Sequence, residues 1–129
     1  MKLVIDTSVL IDNLRGGIVW KTIVDDIESK NAELFMPTIV VFELFSGRSS
    51  QDSSMVNKIN KLLEKFQRIE LTEKIAKRAG ELYRDISKTL EVPDYIIAAS
   101  ALSIGGTVVT LNKKHFEQIP GVSLYPLSN

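Results

Sequence analysis

Cysteine is absent from this sequence, which excludes disulfides, thiolate zinc sites and cysteine nucleophiles. With no disulfide framework to protect, the reducing cytosol is the default compartment. An excess of charge of either sign is also missing, because 16 basic residues balance 16 acidic ones. Global steering toward nucleic acid is therefore excluded, and any such binding must come from a local basic patch or from oligomer geometry. No apolar run approaches the roughly 18 residues that span a bilayer. The opening Met1-Lys2-Leu3-Val4-Ile5-Asp6 has too short an apolar part for a signal peptide. What remains is a chain with 44% apolar and 25% charged residues, the balance of a soluble globular protein. Its 129 residues suit a single domain, 1–129, able to bury a core without staples.

Alternation of strands and helices organises the chain. Residues 2–6 read as a short buried strand. Thr7 and Ser8 follow at once, and their hydroxyls suit the start of a short helix carrying Val9, Leu10, Ile11 and Leu14. Gly16-Gly17 breaks it. Helical spacing of Ile18, Ile23, Val24 and Ile27 predicts a helix over 18–29. Leu34-Phe35-Met36 predicts a strand, and a helix begins at Pro37 or Thr38 and runs to about Gly47. The Gly/Ser-rich stretch 46–54 predicts a loop. Ile59, Leu62, Leu63 and Phe66 mark one face of the next helix.

Residues 68–71 predict a strand, and a helix from Thr72 carries Ile75, Ala79, Leu82, Ile86 and Leu90. The alanine-rich stretch 94–104 predicts a deeply buried helix ended by Gly105-Gly106. Residues 107–110 and 122–125 predict two more strands, with Lys113-Lys114 in a solvated turn. Together these predict an α/β fold, a three-layer α/β/α sandwich around a mainly parallel sheet of four to five strands. Ligands in such sheets bind beyond the C-terminal strand ends, where Asp6 and Thr110-Leu111-Asn112 fall.

Three carboxylates sit where a charge is costly. Asp6 ends the first apolar run, Glu43 lies inside Thr38–Phe45, and Asp94 opens the alanine-rich helix. An unpaired charge in low dielectric costs several kcal/mol or more unless a partner, a metal or a shifted pKa relieves it. Singly, each has an ordinary reading: Asp6 as a helix cap, Asp94 as an N-cap after Pro93, Glu43 as half of a salt bridge. His115 alone reads as a surface histidine. Jointly, with no evident cation nearby, the three acids predict a hard divalent cation, Mg²⁺ or Mn²⁺, held through oxygen. Such a site lowers the pKa of bound water and screens a phosphodiester. Ser8 could orient a carboxylate or a water there. Ile18, Trp20, Ile23, Met55 and Ile59 read equally as an exposed dimer surface or as monomer core.

Four blocks resemble the PIN-domain nucleases, and by size and order most resemble the VapC toxins of toxin–antitoxin pairs. They are Leu3–Ile11, Ile39–Leu44, Asp94–Leu102, and Thr110–Phe116 with Ile119–Val122. The resemblance implies a Mg²⁺- or Mn²⁺-dependent endoribonuclease of structured RNA such as transfer or ribosomal RNA, leaving 5′-phosphate and 3′-hydroxyl ends. It implies a homodimer silenced by a cognate antitoxin. Asp6, Glu43 and Asp94 match the metal-binding acids, and Ser8 matches a supporting hydroxyl position beside the substrate. Asn112 stands where many relatives carry a fourth catalytic acid, and His115 stands at the other such position. An amide there predicts one tightly held metal and a weaker second. Arg15, Arg48, Lys113 and Lys114 are the expected backbone-phosphate contacts. A haloacid dehalogenase phosphatase would need Asp where Ser8 stands. The competing reading is a catalytically degenerate PIN-like module that binds RNA or protein without cutting.

Overall fold

The structure, a computed structural model, describes residues 1–86 and 90–127. The central strand, β1, is Lys2–Ile5. Its Leu3, Val4 and Ile5 are wholly buried, as a strand covered on both faces requires. It pairs in parallel with β2 (Glu33–Pro37) on one side and with β4 (Thr107–Val109) on the other. β3 (Gln67–Ile69) extends the sheet beyond β2, and β5 (Ser123–Leu124) beyond β4. The order is β3-β2-β1-β4-β5, with every pair parallel. Helices cover the sheet in an α/β/α sandwich, as the alternation predicts.

This order decides where a site can form. From β1 the chain crosses to β2 on one side, while β4 joins β1 on the other. The sheet's connections thus diverge between the C-terminal ends of β1 and β4, which opens a crevice there. Asp6 and Thr110 are the first residues beyond those ends, and the Asp6 N–H donates to the Val109 carbonyl at 2.9 Å.

Three helices frame that edge. α1 (Thr7–Leu14) follows β1 directly, and α3 (Thr38–Ser46) follows β2. α6 (Val92–Ile104) packs against β1, β2 and β4. Its small residues Ala98, Ala99 and Ala101 are at most 1% exposed and let the helix approach the strands closely. Gly105 ends it at φ 65°, a left-handed conformation favourable to glycine. Gly106 lies so close to the sheet that a Cβ there would sit 2.8 Å from Val4 Cγ2.

Several boundaries differ from the sequence expectation. α6 begins two residues early, because Pro93 fits a first turn and Glu91 serves as its N-cap. Asp94 therefore lies inside the first turn. α5 (Glu73–Asp85) stops before Ile86, whose backbone is extended. The expected continuation through 87–89 lies outside the described residues. The predicted loop 46–54 contains a 3-10 turn at Arg48–Gln51 before α4 (Ser53–Leu63). Lys113–Phe116 forms a short helix, α7, in place of a turn, because wholly buried Phe116 anchors it. Strand ends shift by a residue or two.

The candidate dimer surface is also corrected. On α2 (Val19–Ser29), Trp20 and Ile23 join the core, as does Ile59 of α4. Trp20 meets Phe66 edge-on, with ring centroids 5.7 Å apart. Met55 is partly buried, and Ile18 alone of the five stays exposed. Tyr125 donates to the Asp26 carboxylate on α2, and burial followed by that bond pushes its hydroxyl pKa up to about 12. Among the described residues, no helix is long and apolar enough to cross a membrane.

Phe116 connects this core to the Asn112–His115 segment. Phe116→Ala is expected to destabilise the protein by about 3–5 kcal/mol, the usual cost of emptying a large aromatic core position. Urea denaturation followed by circular dichroism measures it. A loss below about 1 kcal/mol would mean that α7 is not anchored by this ring.

Candidate active site

Asp6 has the extended backbone of an N-cap residue, φ −76° and ψ 152°, yet its side chain makes no capping bond to α1. Its carboxylate is committed elsewhere. Ser8 Oγ donates to Asp6 Oδ2 at 2.7 Å, and Thr110 Oγ1 donates to the same oxygen at 2.7 Å. The network continues outward. The Leu111 N–H donates to Ser8 Oγ at 3.0 Å, and the Asn112 N–H donates to Thr110 Oγ1 at 2.9 Å. Asp6 is 3% exposed and Thr110 1%. A buried carboxylate held by two hydroxyls avoids much of the penalty of an unsatisfied charge.

The other two acids are held in the same manner. Thr7 Oγ1 donates to Glu43 Oε1 at 2.6 Å, joining α1 to α3. His115 Nδ1 lies 3.2 Å from Asp94 Oδ2, joining α7 to α6. In the sequence Thr7 reads as a helix cap, Thr110 only as a strand-end residue, and His115 as a surface residue or, by resemblance, the occupant of a fourth-acid position; none reads as a partner of a carboxylate. Their partners lie 36, 104 and 21 residues away, so no local pattern reveals them.

The three carboxylates feel one another. Burial pushes the Glu43 pKa up; the Thr7 hydroxyl opposes this, and the charges of Asp6 and Asp94 add to it. Burial also raises Asp94, followed by the charge of Asp6, while His115 pulls it back down. Each acid has one oxygen held by a hydroxyl or imidazole. Among the described residues, no side chain bonds the second oxygen of Asp6 or of Glu43, while the backbone of Glu91 also donates to the Asp94 carboxylate. Among the described residues no fully buried side-chain polar atom lacks a partner, so the second oxygens of Asp6 and Glu43 keep some exposure to solvent.

Asp6, Glu43 and Asp94 are therefore the groups that could hold a cation. Among the described residues, no three His, Cys, Asp or Glu side chains are arranged as a ready-made metal cage. The donor set nonetheless fits a hard cation such as Mg²⁺, which keeps several waters and commonly takes one or two carboxylates plus substrate phosphate. Mutual repulsion among these acids is the charge that such a cation would neutralise.

The remaining predicted residues divide. Asn112, Lys113, Lys114 and His115 line a cavity of about 500 Å³ with Thr110. The Asn112 side chain is exposed and makes no bond to the acids among the described residues. Lys113 Nζ donates to the Leu127 carbonyl at 2.9 Å, which occupies one of its protons. Arg15 shares a smaller cavity with Glu43. Arg48 is exposed on the 3-10 turn, bonded to none of the three acids.

A raised carboxyl pKa has a definite sign in stability. The unfolded chain ionises first, so folding is penalised as pH rises above the unfolded value of 4.5 and is unpenalised well below it. Glu43→Gln removes that penalty while its amide oxygen can still accept from Thr7. In EDTA the variant is expected to melt above the wild type at neutral pH, with the gap closing as pH falls below 4.5. Thermal melts across that range measure it. A gap unchanged in acid would show that ionisation is not its source.

Comparison with known proteins agrees with this geometry. The family model for the PIN domain matches residues 3–122. Ribonuclease VapC19 of Mycobacterium tuberculosis is 30% identical over 124 residues, covering 93% of this chain and 95% of its own. The structure of VapBC2 from Rickettsia felis bound to a DNA fragment from their promoter superposes with a TM-score of 0.85. It is 22% identical and covers 99% of this chain and 100% of that one. A toxin–antitoxin complex from Klebsiella pneumoniae superposes at 0.76 and is 27% identical, covering 97% and 99%. A match across nearly the whole length, together with acids gathered at the β1/β4 crevice, places this chain in the PIN domain family, among its VapC-type ribonucleases.

Proposed function

We propose that this protein is a Mg²⁺- or Mn²⁺-dependent endoribonuclease that hydrolyses phosphodiester bonds in structured RNA such as transfer or ribosomal RNA, as the toxin of a toxin–antitoxin pair. The observation that carries the reading is Asp6: a buried carboxylate with one oxygen fixed by Ser8 and Thr110 and electrostatically coupled to Glu43 and Asp94. Asp6, Asp94 and Glu43 would hold the cation. When bound, it would supply positive charge to the phosphodiester and lower the pKa of water.

The chain's own groups do the positioning. Ser8 and Thr110 fix one oxygen of Asp6 at the C-terminal end of β1. Thr7 sets the angle of Glu43, and His115 sets that of Asp94. Lys114, exposed on the rim of the Asn112 cavity, is placed to meet a backbone phosphate. Asn112 can offer its amide to substrate or water without adding charge.

Two partners belong to the same reading. The Klebsiella pneumoniae relative was solved as a toxin–antitoxin complex, which supports a cognate antitoxin here. Exposed Leu71, Tyr83 and Val92 border an apolar groove between α5 and α6, which supports a homodimer. The second reading, a non-cutting RNA- or protein-binding module, draws on Asn112 and His115 standing in place of a fourth acid.

Cleavage decides between them. Antitoxin-free protein is expected to cut a structured RNA pool at discrete sites in Mg²⁺ or Mn²⁺ and not in EDTA. Asp6→Asn is expected to lower the rate by at least about a hundredfold, the scale seen when one preorganised transition-state contact is removed. Mg²⁺ at about 100 times its dissociation constant should stabilise the wild type by about 2.7 kcal/mol, and the variant by less. Absence of cutting together with absence of metal stabilisation would establish the binding module.

A further inference from the structure

A second cavity lies beside the acidic site and carries the opposite charge. Its volume is about 540 Å³, and Asn13, Leu14, Arg15, Gly16, Lys58 and Lys61 line it. The first four come from the end of α1 and the turn after it, the two lysines from α4. All of its charged groups are cations. Lys58 and Lys61, three residues apart, share one face of α4, with Cβ atoms about 5–6 Å apart.

Several other cations of this chain are engaged. Lys30 pairs with Asp26, Arg78 with Glu81, and Arg84 with Asp85. Arg68 and Lys113 donate to backbone carbonyls. By contrast, Arg15, Lys58 and Lys61 are exposed and make no ion pair or side-chain hydrogen bond among the described residues. In a chain of zero net charge, three uncompensated cations around one concavity create a local positive field that the composition conceals.

The position of this field indicates its purpose. Leu14 and Arg15 line both this cavity and the smaller one that contains Glu43. The two cavities therefore share a wall, and a polyanion leaving the carboxylates on that side meets Arg15 first. We propose that Arg15, Lys58 and Lys61 form a phosphate-binding track that holds the RNA backbone on the α1/α4 side of the acidic site. The proposal rests on the RNA reading above. Ammonium and guanidinium groups on exposed stems contact phosphates without reading bases, so the track sets affinity and the path of the strand, not the sequence cut. RNA fits better than an acidic protein because the track continues directly into the site where a phosphodiester would react.

Binding in EDTA separates this proposal from the nuclease reading, since no cleavage is then required. A fluorescein-labelled RNA hairpin is titrated with the full-length protein from about 50 to about 200 mM salt, and anisotropy gives the affinity at each concentration. Lys58→Ala/Lys61→Ala is expected to reduce the salt slope by about 1.4–1.8, the loss of two released counterions, and to weaken binding roughly tenfold or more at low salt. Arg15→Ala should reduce the slope by about 0.7–0.9. Lys74→Ala/Lys77→Ala, on the cavity that also contains Glu81, should bind as the wild type does. Circular dichroism confirms that each variant is folded. An unchanged slope and affinity in the Lys58/Lys61 variant overturns the track, whether or not the protein cuts RNA. Unchanged RNA binding with lost binding of labelled polyglutamate also overturns it and assigns the groove to an acidic protein. A reduced slope in a wild type that never cuts RNA upholds the track and removes the nuclease reading alone.

Discussion

The hydrogen bonds that Ser8 and Thr110 donate to Asp6 are the constraint on which the site depends. A carboxylate 3% exposed at the middle of a parallel sheet would cost several kcal/mol without donors. Two hydroxyls and a position at the mouth of the crevice reduce that cost without neutralising the charge. A salt bridge would have stabilised the fold more simply, but it would have removed the negative field. The same compromise recurs at Glu43 with Thr7 and at Asp94 with His115. Each of these side-chain partners restrains one oxygen. The result is a cluster whose repulsion a bound cation can relieve, which links stability to ligand binding.

The sheet order explains why this cluster occurs where it does. All strands run the same way, so all their C-terminal ends share one edge. Only between β1 and β4 do the connections diverge, and only there is the edge left open between covering helices. Asp6 comes from the strand itself, Glu43 from α3 after β2, and Asp94 from α6 packed across the strands. Three distant stretches of sequence meet at that crevice.

Much of this was legible in the residues. β-Branched runs at 2–5 and 107–109, helical spacing around Ile59–Leu63 and the alanine-rich stretch before Gly105 all identify their elements. The three acids stand out because each interrupts apolar sequence. Less legible were features that depend on distant partners. Thr7, Thr110 and His115 are ordinary in local context, and their bonds to the three carboxylates appear only through contacts across the fold. Ile86 continues a helical period, yet its backbone turns away, since periodicity reports the face a residue would occupy and not where the helix ends. Trp20 and Ile59 were ambiguous because an apolar stripe looks the same against a partner or against its own core. Lys58 and Lys61 carry no signal of their own in the sequence. Their significance lies in what they do not pair with, which needs coordinates.

The bond from Thr110 to Asp6 spans 104 residues. Domains are synthesised from the N-terminus at about 5–20 residues per second. Asp6, Thr7 and Ser8 emerge well before the hydroxyl that completes the carboxylate's shell, which follows 104 residues after Asp6. Through most of that interval the growing chain lacks β4 and both later groups, Asp94 and Thr110. A nascent chain on the ribosome, surrounded by RNA, thus carries an unassembled site. The topology that gathers the acids also delays them, so the site is assembled only once β4 has been made.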